Sequence, residues 1–260
     1  MKILMCRPDF FDIEYEINPW MNIHNKVDKK KALHEWQHLY DTYRNLGVEI
    51  ELIKQVLGLP DMVFTANGGH VKRNTFISGN FKFRERKNEE IYFQNSFKNH
   101  GYEIKTLKHF QGGEGDALFY NNTLYMGWGF RSDPEAHKEV AKILHVPIIS
   151  LHLIDPYFYD FDTTFCPIGD KAFLYYPLAF DEKSRQILSK VDGAIEMTKD
   201  QAEGFVGNSV FVNGKLLVGY LDGDLKQKLS GINVEPVLLN MSEFKKSGGG
   251  IKCCTLYLEQ

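Results

Sequence analysis

Five stretches of this 260-residue chain share one layout: a small or polar residue near a strand start, a tight turn, and often a second strand. They read Phe64-Thr-Ala-Asn-Gly-Gly, Glu114-Gly-Asp-Ala-Leu-Phe-Tyr, Phe161-Asp-Thr-Thr-Phe-Cys, Val206-Gly-Asn-Ser-Val-Phe-Val and Lys252-Cys-Cys-Thr-Leu-Tyr-Leu. With Asn67, Asp116, Asp162, Asn208 and Cys253 as markers, the successive separations are 49, 46, 46 and 45 residues. Regular spacing in that range signals one supersecondary unit repeated along the chain. Five such units predict a closed α/β ring whose polar markers converge on its axis, shut by pairing of the N-terminal strand with the C-terminal one. The competing reading is an ordinary mixed α/β sheet with coincidental spacing.

The stretches between the markers fit a repeated unit. Asn121-Asn122, Gly169-Asp170 and Asn213-Gly214 each separate two apolar runs, and their tolerance of positive φ suits two-residue hairpins. Helices are expected over 28–46, where Leu33, Trp36, Leu39, Tyr40 and Tyr43 recur at three- and four-residue spacing, and over 89–100, 134–144, 182–191 and 225–229. Strands are expected at 2–6 and 48–53, with an aromatic-rich loop between Asp9 and Asn25. Nothing resembles a linker, so residues 1–260 read as one domain.

Composition narrows the function. A net charge of -3 with both signs dispersed argues against nucleic acid as a partner. Four cysteines, two of them adjacent, make a poor disulfide framework and lack metal-ligand spacing, which fits a reducing cytoplasm. No apolar run reaches membrane-spanning length, and the N-terminus lacks a signal-peptide pattern. The last segment, Ser247-Gly-Gly-Gly-Ile-Lys-Cys-Cys, would bring backbone close to a ligand and present a cysteine at the head of a short strand. The same residues also suit a glycine turn followed by two core cysteines.

Converging markers would set Asn67, Asp116, Asp162 and Cys253 together, with Glu114 close by. Carboxylates accept paired N–H bonds from a planar guanidinium, and a thiolate among them can attack its central carbon. The combination points to arginine-like substrates, although Asp and Asn at strand starts are also common turn residues.

Together, Asn18-Pro-Trp-Met, Pro60-Asp-Met-Val-Phe-Thr-Ala-Asn-Gly-Gly, Glu85-Arg86, Glu114-Gly-Asp-Ala-Leu, Gly129-Phe-Arg-Ser, Phe158-Tyr-Asp-Phe-Asp-Thr-Thr-Phe-Cys-Pro and Gly248-Gly-Gly-Ile-Lys-Cys-Cys-Thr-Leu carry a resemblance over essentially the whole chain. The sequence resembles the guanidine-modifying penteins: arginine deiminase, dimethylarginine dimethylaminohydrolase and the amidinotransferases. It looks most like the short arginine dihydrolase type. The resemblance implies a five-bladed α/β propeller with its pocket on the pseudo-fivefold axis, and a small guanidino compound as substrate, with no metal or organic cofactor. It implies Cys253 as nucleophile and Asp116 as a partner of the guanidinium nitrogens, with Asn18, Asn67 and Glu114 around the substrate. Arg86 and Arg131 would hold the substrate carboxylate, and Asp162 would fill the acidic position of a His-x-Asp pair. The implied product is ornithine with ammonia and carbon dioxide. Alternatives are a deiminase, a dimethylarginine hydrolase, an amidinotransferase or an inactive arginine binder.

One departure stands out. Where the family has histidine in Phe-Tyr-His-Leu-Asp, this chain has Asp160. Histidine changes protonation near neutral pH, whereas an aspartate of ordinary pKa stays anionic and discourages a neighbouring thiolate. The expectation is impaired turnover, in a natural or introduced variant of a hydrolase or in a guanidino-compound binder, unless His70 or His152 carries the proton.

Overall fold

In a computed structural model of the chain, residues 1–258 are described. They form five three-stranded sheets of one pattern. In each, an antiparallel hairpin is followed by a helix and a third strand that pairs parallel with the second strand of the hairpin. Gly69–Lys72, Thr75–Ser78 and Glu103–Lys105 make one blade; Ala117–Tyr120, Thr123–Trp128 and Ile148–His152 the next. Phe165–Ile168, Ala172–Tyr175 and Ala194–Glu196 follow, then Val210–Val212, Lys215–Val218 and Glu235–Leu238. The fifth blade is built from both ends of the chain. Leu256–Tyr257 pairs antiparallel with Lys2–Cys6, which pairs parallel with Glu49–Ile53. The expected ring of repeats, a pentein propeller, is therefore the architecture.

Local sequence explains the recurring parts. In the helix Lys29–Asn45 the Asp28 side chain caps the first free N–H groups, and Ala32, Trp36, Leu39 and Tyr43 lie on one buried face. Asp181 and Asp222 cap Glu182–Leu188 and Gly223–Gly231 in the same way. The first of these ends at Leu188, three residues before the expected stop. Asn121, Asn122, Asn213 and Gly214 take positive φ and close two-residue hairpins as anticipated. The third hairpin differs: only Gly169 of the pair is left-handed, and Lys171 joins the loop before the strand restarts at Ala172.

Each blade's first strand is preceded by a tight turn, and these turns meet at the axis. Asn67 donates to the carbonyl of Gly112 at 3.0 Å, and the Asp116 carboxylate accepts from the amide of Phe161 at 3.0 Å. Asn208 donates to the carbonyl of Asp162 at 3.2 Å, the amide of Cys253 donates to Asn208 at 3.1 Å, and the Cys253 carbonyl accepts from Ala66 at 3.0 Å. The five markers thus belong to one circle of hydrogen bonds. Outside it, aromatic rings seal one blade against another, with Phe165 stacked on Phe161, Tyr125 and Phe173 at 4.7, 5.2 and 4.8 Å.

The circle leaves no room at Gly113. Its φ is +62°, and a Cβ there would lie 2.4 Å from the carbonyl oxygen of Ala66 and 2.6 Å from that of Asn67. Gly113→Ala should destabilise the protein by roughly 2–4 kcal/mol, because strained backbone and overpacking add. An unchanged urea midpoint would show that these two turns are not in close contact.

Candidate active site

Cys253 is 2% exposed and lies in a turn over Ile251 to Cys254, not at the head of a strand as expected. The amide of Cys254 donates back to the carbonyl of Gly250 at 3.2 Å, so the chain curls before the strand begins at Leu256. This curl, rather than alternation along a strand, separates the two cysteines. Cys254 is fully buried in the core. The Cys253 thiol donates to Asp162 Oδ2 at 3.2 Å and accepts from Asn208 Nδ2 at 3.0 Å. Because Asn208 Oδ1 also takes the Cys253 amide proton, a single carboxamide fixes both backbone and sulfur. Asn208 was visible as a repeat marker but absent from the expected site; its phase in the repeat was the available signal.

The carboxylates expected near the cysteine are present and buried. Asp116 accepts from Ser132 Oγ at 2.5 Å and from the Phe161 amide, which fixes both of its oxygens. Asp160 is 2% exposed; its Oδ2 accepts from Asn67 Nδ2 at 3.4 Å, and its Oδ1 has no hydrogen-bond partner. Burial, followed by the charge of Asp160, pushes Asp116 well above the usual carboxylate range. Burial also raises Asp160, against the pull of Arg131 and Arg86. Asp162 is pushed up to about 7 by burial and by Asp160, with Lys252 opposing. Burial and then Asp162 and Asp160 hold the Cys253 thiol well above its ordinary range, so the resting sulfur is protonated. Among the described residues no cationic side chain hydrogen-bonds the Cys253 sulfur.

The mouth of the pocket is lined by Asn67, Phe81, Phe83, Arg86, Arg131 and Asp160, around a void of about 10 Å³. That is space for about one water molecule. Arg131 is sandwiched between the rings of Phe83 and Tyr159, 4.9 and 4.5 Å away, and among the described residues it has no salt bridge. Arg86 is differently placed. It grips Glu89 with two nitrogens at 2.9 and 2.8 Å, donates to Asn67 Oδ1 at 2.8 Å and to the Asp61 carbonyl at 3.1 Å, so its charge is largely neutralised and it holds Asn67 in place. Phe81 and Phe83 were not anticipated, since only the fold brings them to the mouth.

Two further expected residues act at a distance from the mouth. Asn18 donates to the Ser247 carbonyl at 3.0 Å and pins the aromatic-rich loop onto the glycine run. Glu114, expected beside the substrate, accepts from Lys252 Nζ at 2.9 Å and from the Tyr257 amide at 3.1 Å, the first partner within the turn that carries Cys253 and the second just after it. The two candidate proton carriers fare poorly. Burial drives His70 down to about 3, which keeps it neutral at physiological pH, and His152 stacks on Trp128 at 3.9 Å while facing Asp181. Among the described residues no group of three or more His, Cys, Asp or Glu could hold a metal ion, and no helix is long and apolar enough to cross a membrane.

The crowded carboxylates make stability depend on pH. Asp162 is raised in the folded state, so its contribution is fully present below about pH 4 and is lost as pH rises through about 7. His70 and His137, both lowered by burial, act in the opposite sense, so the test is a difference. Asp162→Asn should gain thermal stability relative to the parent as pH rises from about 4 to 8. Parallel Tm profiles for the two proteins would exclude the raised carboxylate.

This is a buried thiol with carboxylates beside it and an aromatic-sandwiched arginine at the entrance, a complement for a cationic planar amidine that carries a carboxylate at its other end. A family model described as N,N dimethylarginine dimethylhydrolase, eukaryotic, matches residues 10–259. A dimethylarginine dimethylaminohydrolase of Mycobacterium tuberculosis is 37% identical over 98% of this chain and 85% of its own length. The bifunctional arginine dihydrolase/ornithine cyclodeaminase ArgZ of Synechocystis is 38% identical over 98% of this chain, which spans 37% of that longer protein. The crystal structure of the N-terminal domain of ArgZ bound to substrate, described as an arginine dihydrolase, matches with a TM-score of 0.96 at 36% identity, covering 100% of this chain and 98% of that one.

Proposed function

The chain belongs to the dimethylarginine dimethylaminohydrolase family of the guanidine-modifying penteins, hydrolases of guanidino C–N bonds, and from that premise we propose that it is an arginine dihydrolase. The observation that carries the substrate choice is the acceptor surface around the buried end of the pocket. Asp160 Oδ1 is buried without a donor, and Asp160 Oδ2 and Asp162 lie nearby with partners at 3.2 Å or more. An unsubstituted guanidinium brings five N–H donors to these oxygens, whereas a dimethylated nitrogen brings two fewer and would leave charged acceptors unpaired. Arg131 supplies the counter-charge for an α-carboxylate at the mouth.

In this reading the substrate also supplies the positive charge that the thiol lacks. With a guanidinium against Asp160 and Asp116, the Cys253 proton passes along its existing contact to Asp162. The sulfur bonds to the guanidinium carbon, and the C–N bond to a terminal nitrogen breaks as ammonia leaves with a proton. Water then cleaves the covalent amidino-cysteine to give citrulline. A second round on the ureido carbon yields ornithine, a second ammonia and carbon dioxide.

Product analysis by mass spectrometry tests the assignment directly. Arginine should give ornithine, and dimethylarginine should be turned over at least tenfold less efficiently. Citrulline as the only product would make the protein a deiminase, and preference for dimethylarginine would reverse the substrate choice. A further expectation concerns the mouth. Charge-assisted bonds contribute about 1.5–3 kcal/mol each, so Arg131→Ala should raise KM for arginine roughly 10- to 100-fold with a smaller change in kcat. An unchanged KM would remove Arg131 from carboxylate binding.

A further inference from the structure

The axis has a second end. A cavity of about 760 Å³ opens on the face formed by the hairpin turns, with Lys252 among its lining residues; Cys253, one position later, is not among them. Volumes of this size are typical of small-molecule sites. Three features give the cavity a chemical character. Ser209 lines it while only 3% exposed, and its hydroxyl has no hydrogen-bond partner. Buried hydroxyls are rarely left in that state. Lys72 and Arg73 stand at its rim; among the described residues neither has a carboxylate within ion-pair distance, and Asp170 is the one acid that lines the cavity. The remaining wall is largely apolar and aromatic, including Phe119, with the Lys72 ammonium 4.9 Å over its ring, and Phe211.

We propose that this cavity is a second ligand site, separate from the guanidine pocket, for a small anion carrying an aromatic or apolar body. The body would lie against Phe119 and Phe211, the anionic group would face Lys72 and Arg73, and the Ser209 hydroxyl would find a partner. Lys252, already held by Glu114, forms part of the floor and is not required as a ligand contact.

Calorimetric titration of the full chain with benzoate and with phenyl phosphate, using benzyl alcohol as the neutral counterpart, tests the site. At least one anion should bind saturably and at least tenfold more tightly than the alcohol. The double variant Lys72→Glu, Arg73→Glu, altered only at the rim, should weaken that binding at least tenfold while leaving KM for arginine unchanged. Comparing the two probes distinguishes a carboxylate site from a phosphate site. Absence of saturable binding by either anion would overturn the proposal. So would equal binding by the double variant, which would place the anion at Arg131 instead.

Discussion

Asp160→His should raise kcat for arginine by roughly 10²- to 10⁴-fold, the range by which a positioned acid or base accelerates proton transfer. The argument is electrostatic. Asp160 is buried and raises both Asp116 and Asp162, and with Asp162 it also holds the Cys253 thiol protonated. A histidine removes one negative charge from this cluster and adds a group that is half-protonated near neutral pH. It can donate to the departing ammonia and then accept from water. Asp160→Asn separates the two effects: it removes the charge without supplying a proton carrier and should recover a small part of the gain. Steady-state ammonia release from pH 6 to 9 is the measurement. A histidine variant no faster than its parent, with an unchanged Tm, would mean that Asp162 already carries the proton and that position 160 is not limiting.

Cys253→Ser should lower turnover by about 10⁴-fold or more, because covalent catalysis then depends on a hydroxyl that the carboxylates cannot activate. The neighbouring cysteine sharpens the test. Cys254 is fully buried among core side chains, so Cys254→Ser should cost stability and leave kcat within a few-fold. Intact-protein mass spectrometry of a quenched reaction should show one amidino adduct, mapped to Cys253. An adduct on Cys254, or full activity in Cys253→Ser, would discard the nucleophile assignment.

Much of this site could be read from residue order because the fold is periodic. Each blade begins with a polar turn, so Asn67, Asp116, Asp162, Asn208 and Cys253 recur in phase, and closure of the ring converts a common phase into a common place. What was misread depended on local competition or on distant pairing. The run Thr255-Leu-Tyr-Leu has strong strand character, which drew the expected strand back over Cys253; the bond from Cys254 to Gly250 turns the chain there. Lys252 and Glu114 are separated by 138 positions, and no local pattern announces that each neutralises the other. The same is true of Arg131, whose two aromatic walls come from residues 83 and 159. Asn208 was legible as a marker, but an asparagine at a strand start has so many turn roles that its grip on the sulfur needed coordinates to be recognised.

The blade shared between Lys2–Cys6 and Leu256–Tyr257 also bears on how the protein is made. During synthesis the four blades that lie between these segments can each pair their own strands as they emerge, whereas Lys2–Cys6, paired early with Glu49–Ile53, must wait for its second partner until all four have been made. Cys253 lies just ahead of that partner. The circle of turns, and with it the orientation of the sulfur by Asn208, is therefore completed only after Cys253 and Leu256–Tyr257 have left the ribosome tunnel. A chain stalled before that point would lack the closed ring, so the reactive arrangement itself reports that all five blades have been made.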